Sequence, residues 1–414
     1  MAIPFFSIDF TANEWKALAQ SFMTGQLVSG NASRALHEFL CQRFPSYEIA
    51  LLPSARFGFY WLLDHMFEPG DEIIVPAMGF PLYVLYLIHH QLVPVFVDVE
   101  PVHFTIDPEK IEKAITPKTK AILVTHLFGH PAHMDAIMQI SRRYGIPVIE
   151  DCAHSFDSFL NGQETGTFGH AALFSSSVMK VPTTLGGGFL MTKDRSLIAS
   201  IHEKLESPEH NTRIKKWLPF FVFNMISLLN SYPQLYSLVS HPVFGLIKSR
   251  NPALLRKILY SGMGVNAPVK IWERPKFSNY QASVGLIQFK RSRQMSEKRR
   301  KYAKMLNDCL QGIPHIHYQT ERSGCYWNAQ YYVIEVNTHP EKVFDRMFAR
   351  QIHLMRENVW DCTTYDFVQK YYRECPLAST HNKGLIRIQN NSLMTESSIQ
   401  DIGNTLNNIL TRGV

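Results

Sequence analysis

Between residues 49 and 200 the chain alternates short apolar runs with stretches of helical spacing. The apolar runs fall at 49–53, 72–76, 93–97, 121–126, 148–151, 171–175 and 188–192. Several are apolar at successive positions rather than at every second one, the pattern of strands covered on both faces. Helical spacing fills 57–66, 108–114 and 134–144. Strand–helix–strand alternation predicts an α/β fold, a mixed but mostly parallel sheet flanked by helices. Such sheets bind ligands at the carboxyl ends of their strands. The polar groups expected there are Ser54-Ala55-Arg56, Gly79-Phe80, His126, Asp151-Cys152-Ala153-His154, and the run from Ser175 to Lys180.

The rest of the chain changes character twice. Residues 276–312 read as one long helix, beginning near Ser278 and ending near Gly312, with the basic stretch 290–300 on a solvated face rather than at a nucleic-acid site. Residues 313–414 mix strands (331–336, 385–389) with helices (340–350, 396–410), an α+β pattern. The expected division is a large domain over 1–290 and a small C-terminal domain over 291–414. Within the large domain, 205–273 stands apart. Residues 217–229 read WLPFFVFNMISLL, and between His210 and Tyr260 there are seven basic residues (Arg213, Lys215, Lys216, Lys248, Arg250, Arg256, Lys257) and no acidic one.

Composition narrows the class. The 414 residues are 45% hydrophobic and 19% charged, which excludes a disordered chain, a coiled coil and a collagen-like repeat. The net charge of +7 permits anionic partners. Six cysteines, Cys41, Cys152, Cys309, Cys325, Cys362 and Cys375, form no CxxC pair and read as the reduced thiols of a cytoplasmic protein. The start MAIPFFSIDF lacks the basic residues and long apolar core of a signal peptide. No stretch reaches 18 continuous apolar residues, so a transmembrane helix is not expected. The segment HLFGHPAHMD has three histidines, but no carboxylate or Cys joins them at ligand spacing, and no metal is expected.

The chemistry concentrates in SSSVMK at 175–180, followed by TTLGGG at 183–188. An uncharged lysine amine forms an imine with an aldehyde. Hydroxyls and a glycine turn supply phosphate donors and close backbone approach. Twenty-nine residues before Lys180, Asp151 ends the strand VIED. A carboxylate facing a pyridine nitrogen keeps it protonated, and the ring then withdraws electrons. Rival readings are a surface Lys180, Asp151 as the N-cap of a following helix, and Phe80 and His154 as plain packing residues.

The stretch 149–192, IEDCAHSFDSFLNGQETGTFGHAALFSSSVMKVPTTLGGGFLMT, resembles the DegT/StrS group of fold-type I, pyridoxal-phosphate-dependent sugar aminotransferases. GDEIIVP at 70–76, PVFVDVEP at 94–101, IEKAITPKTKAILVTHLFGHPAHMD at 111–135, YQASVGLIQF at 280–289 and CPLASTHNKGLIRI at 375–388 follow in the same order. The resemblance implies pyridoxal 5'-phosphate as cofactor and assigns roles by position. Lys180 would hold it as a Schiff base and later move the substrate α-proton. Asp151 would pair with the pyridinium nitrogen, His154 would stand beside the phenolic oxygen, and Phe80 would stack on the ring. Ala55 and Arg56 match a Gly-Thr pair whose amides bind phosphate, Ser54 precedes them, and Ser175 matches a phosphate-binding hydroxyl. Arg274 aligns with an Asn contributed by the partner subunit, so a homodimer is implied. Asp157 stands where Gly is common. The implied reaction moves an amino group from an amino acid, glutamate above all, to a keto sugar carried on a nucleotide. A dehydratase of the same group would carry His in place of Lys180, and a non-catalytic scaffold would need neither Lys180 nor Asp151. A lipid-linked or non-sugar acceptor is a further alternative.

The span 205–273 has three readings: an oligomer interface or a lid over the site, a peripheral membrane contact through 213–257, or an excursion of the core. In the membrane reading, Trp217, Phe220, Phe221, Phe223, Ile226, Leu228 and Leu229 lie at the interface, and basic flanks favour an anionic inner leaflet by roughly 1 kcal/mol per nearby Lys or Arg. Pro219, Asn224, Asn230 and Pro233 interrupt the run and disfavour spanning.

Overall fold

The computed structural model describes residues 2–4, 7–206, 214–251, 276–356 and 360–411. Seven strands form the main sheet: β1 (Glu48–Leu52), β2 (Glu72–Pro76), β3 (Val93–Val97), β4 (Thr119–Thr125), β5 (Val148–Asp151), β6 (Ala171–Ser175) and β7 (Gly188–Thr192). Their order is β1-β7-β6-β5-β4-β2-β3. Strands β6, β5, β4, β2 and β3 pair in parallel, while β7 pairs antiparallel with both β1 and β6. Six strands therefore run one way and β7 alone runs back. The first residue of β7, Gly188, meets the carboxyl ends of its neighbours at one edge.

The strands form where the apolar runs lie because both faces are covered. Ile73, Val75 and Leu123 join one buried cluster, with helices Ala55–Met66 and Pro81–His89, and Ile74, Val95 and Val124 join another, with helices Pro108–Ala114 and Met134–Tyr144. Helix starts and stops follow local chemistry. Pro81 occupies the first turn of its helix, where its missing N–H costs nothing. Gly145 ends Met134–Tyr144 in the left-handed region at φ 66°.

The C-terminal part builds a four-stranded antiparallel sheet from β8 (Ile316–Tyr318), β9 (Tyr332–Val336), β10 (Met355–Arg356) and β11 (Leu385–Ile388), in the order β8-β9-β11-β10. Helices Ser292–Leu310, Pro340–Ala349 and Glu396–Thr411 cover it in a separate apolar cluster. A three-stranded patch, Cys325–Tyr326 with Phe159–Leu160 and Gln163–Glu164, ties it to the main sheet.

The single helix expected over 278–312 is two, Asn279–Lys290 and Ser292–Leu310. The break at Arg291 lets its guanidinium reach the buried Glu14 at 2.7 Å. The basic stretch 290–300 is not one solvated face either. Arg299 is 3% exposed and ion-paired with Asp9, and Arg293 and Arg300 lie 3.6 and 3.9 Å from the centroid of the Tyr326 ring. The aromatic run of 217–229 is also divided. One helix, Ile214–Leu229, turns Phe220 and Phe221 inward and leaves Phe223 58% exposed. Leu228 is fully buried, so an interface containing all of the run's apolar residues is not formed; a 3.6-residue period spreads consecutive side chains around the axis.

Candidate active site

The strand edge assembles the site from five connections. After β1, Ser54 sits in extended backbone as the N-cap of Ala55–Met66, and its side chain makes no capping bond. Its hydroxyl is buried and has no hydrogen-bond partner. Ser54 bridges to Gly187, and a Cβ on Gly188 would lie 2.3 Å from the Phe174 carbonyl and 2.8 Å from the Ala55 nitrogen. Glycine is required there for the loop to lie against the helix start. Arg56 stands in the first turn, half-buried. Ser175, also half-exposed, ends β6 opposite Gly188.

Asp151 ends β5 and is 3% exposed. The Ala153 N–H donates to its Oδ1 at 3.1 Å and the Thr125 hydroxyl to its Oδ2 at 3.3 Å. No helix begins after it, so the N-cap reading falls. Burial raises its carboxyl above the ordinary range, while the Ala153 N–H, Lys180, His126 and the Thr125 hydroxyl pull it back. Lys180, half-buried on the loop between β6 and β7, is thus within electrostatic reach of Asp151. Burial above all, and then the Asp151 charge, push the Tyr83 phenol well above its ordinary range, while Arg56 pulls it back.

His154 is 4% exposed. Its Nδ1 accepts the Phe128 N–H at 3.2 Å, so Nε2 carries the hydrogen in the neutral ring. Burial, Lys180 and Arg387 push its pKa well below the ordinary histidine range. Its ring meets Tyr331 edge-on at 4.8 Å and Trp360 at 5.3 Å. Phe80, the N-cap of Pro81–His89, is half-buried against the same core and meets Tyr83 edge-on at 5.3 Å. The preceding Gly79 N–H donates to the Trp360 carbonyl at 2.9 Å. Arg274 lies outside the described residues.

Tyr331 is the residue that sequence reasoning missed. Its ring lies 5.4 Å from the Lys180 Nζ and 4.3 Å from the Arg387 guanidinium, and its hydroxyl donates to the Met179 carbonyl at 3.0 Å. Arg299, Arg387 and Gln330 line a cleft with Lys180. The motif at 375–388 contains Arg387, but nothing local marks its approach to a lysine two hundred residues earlier.

Three other features are structural. Asp157 adopts φ 64°, a left-handed conformation that favours glycine, and its carboxylate pairs with Arg43. His126 accepts the Ala132 N–H at Nδ1 and faces Glu150 at 3.0 Å, both fully buried. Glu150 in turn accepts from the Gly166, Phe168 and Gly169 N–H groups. His130, in the three-histidine segment, faces the Thr320 carbonyl at 2.9 Å.

These residues fit pyridoxal phosphate. The buried, unpartnered Ser54 hydroxyl, the helix N-terminus and Arg56 suit a phosphate. A cationic ring nitrogen against Asp151 would offset the burial of its carboxylate. His154 offers an N–H donor, and Lys180 an amine.

The sequence pattern of the DegT/DnrJ/EryC1/StrS aminotransferase family matches residues 9–216 and 247–407. Among solved structures, the Helicobacter pylori PseC, an aminotransferase involved in the biosynthesis of pseudoaminic acid, is similar at TM-score 0.78 and 17% identity, with all of both chains covered. The aminotransferase TlmJ from Streptoalloteichus hindustanus gives 0.76 and 18%, again over all of both chains. The putative sugar aminotransferase Spr1654 from Streptococcus pneumoniae, in its PMP form, gives 0.76 and 18%, covering 100% of this chain and 98% of that one. The chain belongs to the DegT/DnrJ/EryC1/StrS family and is a pyridoxal-phosphate-dependent aminotransferase of fold-type I.

Proposed function

We propose that the protein moves an amino group from glutamate to a keto sugar carried on a nucleotide. One observation carries the amino transfer: Asp151, at the end of β5, and Lys180, on the loop that follows the neighbouring strand β6, stand in electrostatic reach at the edge where the start of Ala55–Met66 meets Gly187 and Gly188. When bound, pyridoxal phosphate supplies a carbonyl that takes up and hands on the amino group and a ring that withdraws electrons.

The chain's own groups do the rest. The Lys180 amine would be the covalent attachment point and, once free, would take the proton from the substrate carbon and return it. Asp151 would hold a proton on the ring nitrogen. His154 would offer its Nε2–H to the phenolic oxygen, and Phe80 would cover one ring face. The Ser54 hydroxyl, the Ala55 amide, Arg56 and Ser175 would hold the phosphate. Tyr331 and Trp360 wall His154 and exclude water. Buried Arg387, beside Tyr331, favours an anionic donor.

The same reading includes a two-fold homodimer in which Arg274 of one subunit reaches the other's site. It divides the chain into a cofactor-holding part, 1–290, and a smaller part, 291–414, supported by the helix break at Arg291 and the separate C-terminal core. It locates the enzyme in the cytoplasm.

The test is a reverse screen: purified holoenzyme, 2-oxoglutarate and a panel of nucleotide-linked amino sugars, with glutamate as the readout. Glutamate formation with a nucleotide-linked sugar is expected. Turnover confined to lipid-linked or non-sugar amines would overturn the acceptor assignment.

A further inference from the structure

Residues 217–246 fall between the two blocks of the family match. Helix Ile214–Leu229 and the helical turns from Pro233 to Arg250 are therefore largely an addition of this chain. Their inward face is fully used. Phe221, Met225 and Leu228 pack with Leu185, Val178 and Tyr280. Asn224 donates to the Tyr280 hydroxyl at 3.3 Å. Phe220 lies over Gly186, where an added Cβ would come within 2.3 Å of its ring. Val178, Leu185 and Gly186 belong to the loop that carries Lys180.

The outward face is apolar as well. Leu218, Val222, Phe223, Ile226 and Leu229 are 46–58% exposed. Leu235, Leu238, Val239, Val243 and Leu246 form a second stripe at i, i+3, i+4, i+8 and i+11, with Leu238 75% exposed. Together they are ten of the seventeen exposed large hydrophobics among the described residues. A helix facing water carries polar residues on that side. Exposed apolar stripes of this extent mark an interaction site.

Charge decides the occupant. The chain is free of acidic residues from His210 through Trp272, and in the sequence the stripes fall between Lys215-Lys216 and Lys248 with Arg250. Apolar stripes flanked in sequence by cations and by no acid match an anionic bilayer surface, with acyl chains under the stripes. The element does not span. A helix of 16 residues is about 24 Å long against a hydrocarbon core of about 30 Å. Pro219 lies within it, and no helix among the described residues is long and apolar enough to cross a membrane.

We propose that residues 214–250 are a membrane-docking surface that lays Phe223, Ile226, Leu238 and Leu246 into the interface of an anionic leaflet. Helix Ile214–Leu229, docked in this way, holds the Lys180 loop, packed on its inner face, close to the lipid surface. This inference stands apart from the transamination reading, since vesicle binding and turnover are measured separately.

The experiment is co-sedimentation of the holoenzyme with phosphatidylcholine vesicles, with and without phosphatidylglycerol, alongside light scattering of the protein alone. Binding is expected only with phosphatidylglycerol, weakening as salt rises. The pair Phe223→Glu and Leu238→Glu, both at exposed positions, is expected to lose binding with its melting temperature and cofactor absorbance unchanged. Lys248→Glu with Arg250→Glu leaves both stripes intact and is expected to lose binding too. No sedimentation at low salt, or a stripe variant whose mass halves while binding stays unchanged, overturns the proposal; the latter makes the stripes a contact between copies of this chain.

Discussion

The Nδ1 of His154 accepts the backbone N–H of Phe128 at 3.2 Å. One hydrogen bond thereby fixes the tautomer of a buried ring and leaves Nε2–H as its donor. A side chain that offers an N–H in the same place preserves this function, and one that offers none does not. His154→Gln is expected to keep cofactor absorbance and most of the turnover, and His154→Phe to lose at least about tenfold in rate. Equal rates in the two variants would reduce His154 to packing.

His154 also makes a pH statement. Its folded pKa lies well below the ordinary value of 6.5. The unfolded chain therefore binds a proton first as pH falls, so the contribution of His154 is present above that value and is lost below it. Side-chain nitrogen NMR should show the His154 ring neutral, with hydrogen on Nε2, throughout the ordinary histidine range. A ring that titrates near 6.5 contradicts the burial argument.

Asp151 has the opposite dependence. Burial, opposed first by the Ala153 N–H and then by Lys180, leaves its folded pKa above the ordinary value of 3.8. Its stabilising contribution to the cofactor-free protein is full below that value and falls as pH rises through the folded pKa. Cofactor-free Asp151→Asn is expected to melt above the parent at neutral pH and level with it in acid, while the holoenzyme variant loses most of its turnover. A lower melting temperature at neutral pH, with turnover retained, would make Asp151 a structural acid.

Gly188 tests the phosphate cradle. The Cβ of Gly188→Ala would press on two backbone groups, the Phe174 carbonyl and the Ala55 nitrogen, neither of which can swing aside. A stability loss of about 1–3 kcal/mol is expected from the overpacking, together with weaker cofactor retention on gel filtration. Unchanged retention would separate the start of Ala55–Met66 from the cofactor.

The sequence carried the main sheet because its strands are local objects. The runs at 72–76, 93–97, 148–151, 171–175 and 188–192 are bounded by turn-forming residues, and their ends coincide with strand ends. The strand-end rule then placed Ser54, Asp151 and Lys180 at one edge. What stayed hidden depends on pairings without period. Asp9 with Arg299, and Tyr331 with Lys180, join residues far apart in the chain, and no window of sequence registers them. Asp157 reads only as a residue where Gly is common, because its partner, Arg43, lies more than a hundred residues away. The phase of the helix at 214–229 was ambiguous for another reason: with apolar residues on both faces, hydropathy does not tell the core side from the solvent side.

The central claim is that Lys180 carries the cofactor, and borohydride reduction of the holoenzyme followed by peptide mapping tests it most directly. Reduction fixes the lysine–cofactor bond, so the modified residue identifies itself by mass. The account predicts a single modified lysine at position 180, and a Lys180→Ala variant without the visible absorbance of the bound cofactor. Label on any other lysine, or normal absorbance and turnover in Lys180→Ala, would contradict it.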